Sequence, residues 1–218
     1  IMVEHVFREQ SGSQDADETV FIEKAAFPWQ HVRKLGEDMV ASEILLPPGT
    51  VIGAYELGAL AAAGILHPTV FARPKVAIIP SGSELVPLGE ASMDALKQGE
   101  NLPEFNSLII SALVADAGGE ARVFPIAPDD PQSILAALEQ AASGDADLIV
   151  INAGSSAGSH DYTADSIATA GELWVHGVTI MPGKPTALGK IGRKPVIGVP
   201  GYPVSAIISF EEFGQPLL

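Results

Sequence analysis

Hydrophobic positions follow two different patterns along the chain, and the pattern changes near Arg73-Pro74. Before that point apolar residues come in short clusters broken by polar or Gly/Pro turns. Gln10 to Glu18 is polar and acidic and reads as a loop or hairpin tip. Glu43-Ile44-Leu45-Leu46 followed by Pro47-Pro48-Gly49-Thr50 reads as a strand and a turn. Tyr55 to Gly64 is rich in Ala and Leu and ends in glycine, which predicts a short helix. After Pro74 the chain reads differently. Lys75-Val76-Ala77-Ile78-Ile79-Pro80 is a continuous apolar run, as expected of a strand covered on both faces. Helices are predicted over Asn106–Gly118, Pro131–Ser143, Tyr162–Gly171 and Val204–Phe213. Strands are predicted over Ala121–Ile126, Asp147–Asn152, Trp174–Ile180, Thr186–Ile191 and Pro195–Val199, the last two as a β pair. Asp129 or Asp130 is placed to cap the helix that Pro131 opens. Strands alternating with helices of this length predict an α/β fold with a three-layer, mostly parallel sheet over residues 75–218. A smaller β-rich segment (1–40) and a linker with a short helix (41–74) precede it.

Composition narrows the function. A chain of 218 residues, 47% of them hydrophobic, suits one domain or two small ones with a real core. It has no cysteine, which excludes disulfide scaffolds, cysteine-held zinc, iron–sulfur clusters and thiol catalysis. Asp and Glu number 27 against 12 Lys and Arg, a net charge of −15, so neither nucleic acid nor an anionic membrane is an expected partner. No apolar run reaches the ~20 residues of a spanning helix, and no signal peptide is visible. The chain opens at Ile1, inside an apolar run and without an initiator methionine, and is expected to be part of something longer. The charge is uneven as well. From Leu173 to Phe210 there is no acid, while Lys184, Lys190, Arg193 and Lys194 fall in that stretch. Around Gly192 the bases suit an ordinary polar turn. Lys184, inside Pro182-Gly183-Lys184-Pro185, is a candidate for anion binding.

Three strand ends carry small and polar residues: Ser81-Gly82-Ser83-Glu84, the loop from Asn152 to Asp161, and Pro200-Gly201-Tyr202-Pro203-Val204-Ser205. In open α/β sheets ligands sit beyond the carboxyl ends of strands. Glycine turns expose backbone N–H groups and helix N-termini add more, so phosphate is the natural guest. Any strand-to-helix turn uses these residues; three on one edge together with Lys184 point to a site. There is no Gly-x-x-x-x-Gly-Lys-Ser/Thr loop and no Gly-x-Gly-x-x-Gly after the first long strand, which argues against ordinary nucleotide hydrolases and dinucleotide dehydrogenases. Glu84, Asp161 and Asp129-Asp130 lie in loops where a carboxylate could hold Mg²⁺ beside phosphate, or could serve as a helix cap or loop acceptor. His5, His31 and His67 receive no role, and His160 lies inside the serine loop. His176, Trp29, Trp174 and Phe210 are expected to pack in the core.

These residues, in this order, resemble the molybdopterin molybdotransferase family over essentially the whole chain. Met2-Val3-Glu4 is similar to the end of the family's lid segment, and Val32-Arg33-Lys34-Leu35-Gly36-Glu37-Asp38-Met39 to its Ile-Arg-x-x-Gly-Glu-Asp-Ile stretch. Leu46 to Thr50, Leu60 to Gly64 and Arg73-Pro74-Lys75-Val76 follow in place. Glu104-Phe105-Asn106-Ser107 is similar to Asp-Ser-Asn-Ser, Asp129-Asp130 to the paired aspartates, and Asp161 to the acid that ends the serine/glycine loop. Pro182-Gly183-Lys184-Pro185 is identical to the family pattern, and Pro200-Gly201-Tyr202-Pro203-Val204-Ser205 differs from it only at Tyr202, where the family has Asn.

The resemblance implies a molybdopterin-binding fold that takes adenylated molybdopterin and molybdate, cleaves the adenylate with Mg²⁺ and transfers molybdenum to the dithiolene. It implies a cytoplasmic homodimer, in which the lid of one subunit meets the pterin domain of the other, and further domains beyond both ends. The implied catalytic residues are Glu84, Asp161 and Lys184, with Glu84 and Asp161 holding metal. Ser81, Gly82, Ser83, Asn106, Ser107, Asp130, Gly154, Ser155, Ser156, Gly158, Pro182, Gly183, Pro200, Gly201 and Ser205 are implied in ligand binding. Ser83 stands where the family has a metal-holding Asp, and Met181 where it has Lys. The first change removes a charged ligand and the second a cation. The expected function is therefore molybdate insertion into molybdopterin, with weakened Mg²⁺-dependent cleavage. The alternatives are a pterin or nucleotide sensor on the same fold, or a scaffold.

Overall fold

The structure is a computed structural model and describes residues 2–8, 20–90, 94, 97, 102–152 and 162–218. It divides into two compact units, Ile1–Val70 and Phe71–Leu218. In the first unit, strands β1 (Val6–Arg8) and β2 (Val20–Ile22) pair antiparallel, and the Phe7 and Phe21 rings stack across the pair at 5.5 Å. Helix α1 (Ala54–Ala62) ends as the sequence predicts, with Ile65 N–H reaching the Leu60 carbonyl and Gly64 N–H that of Ala61. Glu43–Leu46 is not a strand: Ile44 is exposed, and no strand among the described residues pairs with it. The turn after it forms, with Thr50 N–H on the Pro47 carbonyl. Leu60 is the one core side chain among the unit's described residues, so Trp29, expected in a core, lies exposed.

The second unit is built on a six-stranded sheet. Its strands are β3 (Lys75–Pro80), β6 (Glu120–Val123), β7 (Leu148–Asn152), β8 (Glu172–His176), β9 (Ala187–Ile191) and β10 (Lys194–Val199), in the order β6-β3-β7-β10-β9-β8. β6, β3, β7 and β10 are parallel, and β9 runs antiparallel to β10 and β8. β4 (Leu85–Pro87) and β5 (Leu102–Glu104) form a separate parallel pair beside it. Both faces are covered. On one face α3 (Pro131–Ser143) and α4 (Tyr162–Ala170) pack Ile134, Leu138, Ala141, Ala164 and Ile167 on Ala77, Ile79, Ile149 and Ile151. On the other, α2 (Asn106–Asp116) and α5 (Pro203–Phe213) pack Ile110, Val114, Ala206 and Phe210 on Val76, Ile78, Val150 and Ile197. Three layers and a mostly parallel sheet are therefore present, and the unbroken apolar runs of β3 and β7 are explained by burial on both faces.

Helix ends follow the chemistry of their residues. Gly118, at φ 86°, takes the left-handed position that closes α2, and Gly119 N–H reaches the Val114 carbonyl. Two expected strands are shorter or shifted. β6 ends at Val123, and β8 runs Glu172–His176 rather than Trp174–Ile180, because Gly177 takes a left-handed turn at φ 88°. β8 lies at the sheet edge, so Trp174 and His176 are exposed rather than packed; Lys190 Nζ lies 5.8 Å from the Trp174 ring centroid. Phe210 is fully buried, as expected. Replacing it with Ala should cost about 3–5 kcal/mol through lost burial and the cavity left behind. Urea unfolding measures this, and a loss under 1 kcal/mol would contradict the assigned core.

Candidate active site

The parallel register decides where the loops meet. Pro80 pairs with Asn152, and Asn152 with Val199. Three adjacent central strands therefore end level, and the loops after Pro80, Asn152 and Val199 leave from one edge of the sheet. Because Gly198 pairs with Ala187, the segment leading into β9, with Pro182-Gly183-Lys184-Pro185, reaches the same edge. Lys190, Arg193 and Lys194 lie at the opposite edge. There Lys190 pairs with Glu172 at 3.0 Å and Lys194 donates to the Gly144 carbonyl. The acid-free stretch thus splits into one loop at the candidate site and a turn held by ordinary contacts.

A cleft of about 230 Å³ opens at the shared edge. Ser81, Glu84, Asn106, Asn152 and Gly201 line it, with Glu104, Phe105, Tyr202 and Pro203. Ser81, Asn106 and Asn152 are only 1%, 8% and 2% exposed. Among the described residues, Ser81 Oγ, Asn106 Oδ1 and Asn152 Oδ1 are buried without a hydrogen-bond partner. Buried polar atoms are ordinarily paired, so three orphans in one cleft mark a place where a ligand supplies the partners. The backbone there is already committed: Ser81 N–H donates to the Asn152 carbonyl, Gly82 N–H to Ala127, and Asn106 Nδ2 to the Gly201 carbonyl at 2.7 Å.

The remaining sequence candidates take other positions. Ser83 is exposed, and its Oγ accepts the Asp129 N–H at 2.9 Å. Ser107 N–H donates to the Glu104 carboxylate at 2.9 Å, and Ser107 Oγ is a further buried orphan. Asp130 caps α3, its carboxylate accepting the Gln132 and Ser133 N–H groups. A bond from the Ser133 side chain foremost, then these backbone N–H groups, holds it below the usual carboxylate range. Gly183 is buried at φ 114°, where an added Cβ would meet Ile180 Cδ1 at 2.7 Å and Ser209 Oγ at 2.9 Å. Lys184 is exposed and does not line the cleft; Pro182 is exposed, Pro200 buried and Ser205 half-buried. Gly154, Ser155, Ser156, Gly158, His160 and Asp161 lie outside the described residues. Sequence reasoning missed Glu104, Phe105 and Tyr202 as lining residues. The signal available for Phe105 and Tyr202 was that each breaks the motif it sits in.

The fold is that of a molybdopterin-binding domain: residues 77–218 match the family described as "Probable molybdopterin binding domain". Residues 1–64 match the "MoeA N-terminal region (domain I and II)". The chain belongs to the MoeA, or molybdopterin molybdenumtransferase, family. It is 35% identical over 207 residues to Molybdopterin molybdenumtransferase 2 of Mycobacterium tuberculosis, covering 92% of this chain and 50% of that protein. It is 29% identical over 213 residues to the Molybdopterin molybdenumtransferase of Haemophilus influenzae, covering 98% and 51%. The crystal structure of the molybdopterin biosynthesis moea protein from Pyrococcus horikosii superposes with a TM-score of 0.77 at 34% identity, over 98% of this chain and 50% of that one. The chain spans about half the length of the curated relatives it matches.

The Asp130 cap gives a test independent of ligand. A carboxyl group whose folded pKa is depressed contributes stability above its unfolded pKa, and that contribution is lost as pH falls. Asp130→Ala should lower the thermal midpoint by a few degrees at pH 7. The deficit should shrink as pH falls below about 4, where the unfolded carboxyl takes up a proton. A deficit that does not change between pH 7 and pH 2.5 would contradict a cap made by the ionised group.

Proposed function

We propose that this chain is the pterin-binding part of an enzyme that inserts molybdate into adenylated molybdopterin. The observation that carries the reading is the set of orphaned polar atoms, Ser81 Oγ, Asn106 Oδ1 and Asn152 Oδ1, in a cleft at the level ends of β3, β7 and β10. Family membership and the names of the relatives support it.

The donor set suits Mg²⁺. Glu84 and Glu104 both line the cleft, and amide oxygens stand beside them. A hard cation of this kind is bound by one or two carboxylates with substrate oxygens completing its shell. Among the described residues no three His, Asp or Glu side chains gather. When bound, Mg²⁺ would offset the charge of the adenylate phosphates. The chain's own residues then have distinct tasks. Asn106 and Asn152 orient the ligand, Glu84 and Glu104 hold the cation, and Lys184, on the loop at the same edge, is available to the phosphate or oxyanion. Asp161, Gly154, Ser155, Ser156 and Gly158, which the resemblance implies in ligand binding, lie outside the described residues.

Catalysis in this chain is expected to be slow. Ser83 is a neutral hydroxyl, tied to the Asp129 N–H, where the family pattern has a carboxylate, and Met181 is exposed where the pattern has a lysine. Losing one electrostatic stabiliser typically costs ~10²–10³ in rate. Ser83→Asp/Met181→Lys should therefore raise turnover of adenylated molybdopterin while affinity changes little. A double variant slower than wild type would contradict this assignment.

The chain is also proposed to work as a cytoplasmic homodimer on molybdopterin, molybdate and Mg²⁺. Phe27, Trp29, Tyr55 and Leu57 of the first unit are exposed apolar side chains that an interface would cover. Among the described residues no helix is long and apolar enough to cross a membrane. Titration calorimetry tests the reading as a whole. Adenylated molybdopterin should bind, and binding should tighten with Mg²⁺. Glu84→Gln should remove most of that Mg²⁺-dependent gain. No binding with or without Mg²⁺ would overturn the reading.

A further inference from the structure

Two helices open onto the cleft, and both begin on an aromatic residue. Phe105 precedes α2 and Tyr202 precedes α5, and neither side chain caps its helix. Ser, Thr, Asp and Asn stabilise that position and large side chains do not. At α3, away from the cleft lining, the chain uses Asp130 with two cap bonds. The aromatics gain little packing in exchange: Phe105 is 40% exposed and Tyr202 68%. Both line the one cleft. A local rule broken twice at one place, without a packing gain, marks function rather than stability. Both residues also replace small polar ones in the motifs that the sequence resembles, Phe105 for Ser and Tyr202 for Asn.

The polar lining says what these rings would face. Asn106 Nδ2 is committed to the Gly201 carbonyl, which leaves Oδ1 as an acceptor, and Asn152 Oδ1 is a second. With Glu84 and Glu104 given to the cation, these two amide oxygens are the acceptors left for a ligand, and among the described residues no Lys or Arg lines the cleft. Such acceptors call for N–H donors. We propose that Phe105 and Tyr202 form a stacking surface for the pterin ring, whose amide and amino N–H groups meet Asn106 Oδ1 and Asn152 Oδ1. This assignment rests on the reading of the chain as a molybdopterin-binding protein. It goes beyond that reading by assigning the ring to two aromatics particular to this sequence.

The test uses Phe105→Ser and Tyr202→Asn, which install good capping residues and should keep or raise the thermal midpoint. The probes are 6-hydroxymethylpterin, followed by its fluorescence, molybdopterin, followed by calorimetry, and adenosine as the alternative ring. Wild type should bind and quench the pterin. Each variant should weaken both pterin and molybdopterin about tenfold or more, as loss of a stacking ring does. Folded variants that bind both as tightly as wild type would overturn the stacking surface while leaving the reading of function intact. The same holds if wild type binds molybdopterin but not the ring alone. Adenosine bound in place of pterin, and lost in the variants, would overturn the pterin assignment. Wild type that binds neither pterin nor molybdopterin would overturn both.

Discussion

The parallel ladder of β3, β7 and β10 is the constraint on which the site depends. Its register sets Pro80, Asn152 and Val199 side by side. Each strand is buried on both faces, so a slip in register would push apolar side chains against the wrong partners and is strongly disfavoured. Once that ladder forms, the chain must leave all three strands at one edge. Ser81, Asn152 and Gly201, far apart in sequence, therefore meet in one cleft. The helices then follow. α2 and α5 pack on one face and α3 and α4 on the other, and the N-termini of α2 and α5 open on the same cleft.

The cleft that results combines two demands. Its buried side holds amide and hydroxyl oxygens left without partners among the described residues, a cost that a ligand supplying donors would offset. Its exposed side holds aromatics where capping residues would stabilise the helices better. The carboxylates of Glu84 and Glu104 make the lining acidic. Gly183 keeps the Lys184 turn seated close to α5, since a larger residue would collide with Ser209 and Ile180.

Much of this was legible in the residues. The unbroken run from Val76 to Ile79 announced a doubly covered strand, and Asp130-Pro131 announced the start of α3. Pro182-Gly183-Lys184-Pro185 and Pro200-Gly201 marked the edge loops, and the family motifs carried the resemblance. What stayed hidden depended on neighbours. Glu43–Leu46 has strand-like composition but no partner strand among the described residues. Trp174 reads as core until β8 proves to be an edge strand. Lys190 and Lys194 read as an ordinary polar turn, and the antiparallel β9–β10 turn carries them to the far edge, where Lys190 pairs with Glu172 and Lys194 with the Gly144 carbonyl. Glu104, Phe105 and Tyr202 became lining residues only when two helix starts, 97 residues apart by their numbers 105 and 202, met beside Asn152.

The central claim is that ligand enters at the level strand ends, between the α2 and α5 starts. Side-chain amide spectra test it most directly. In ¹⁵N-labelled protein, adding molybdopterin should shift the side-chain NH₂ signals of Asn106 and Asn152 and the backbone amides of Ser81 and Tyr202. Signals of Lys75, Lys190 and Lys194, at the opposite edge, should stay in place. Shifts confined to that opposite edge, with the two asparagines unmoved at saturation, would contradict the account.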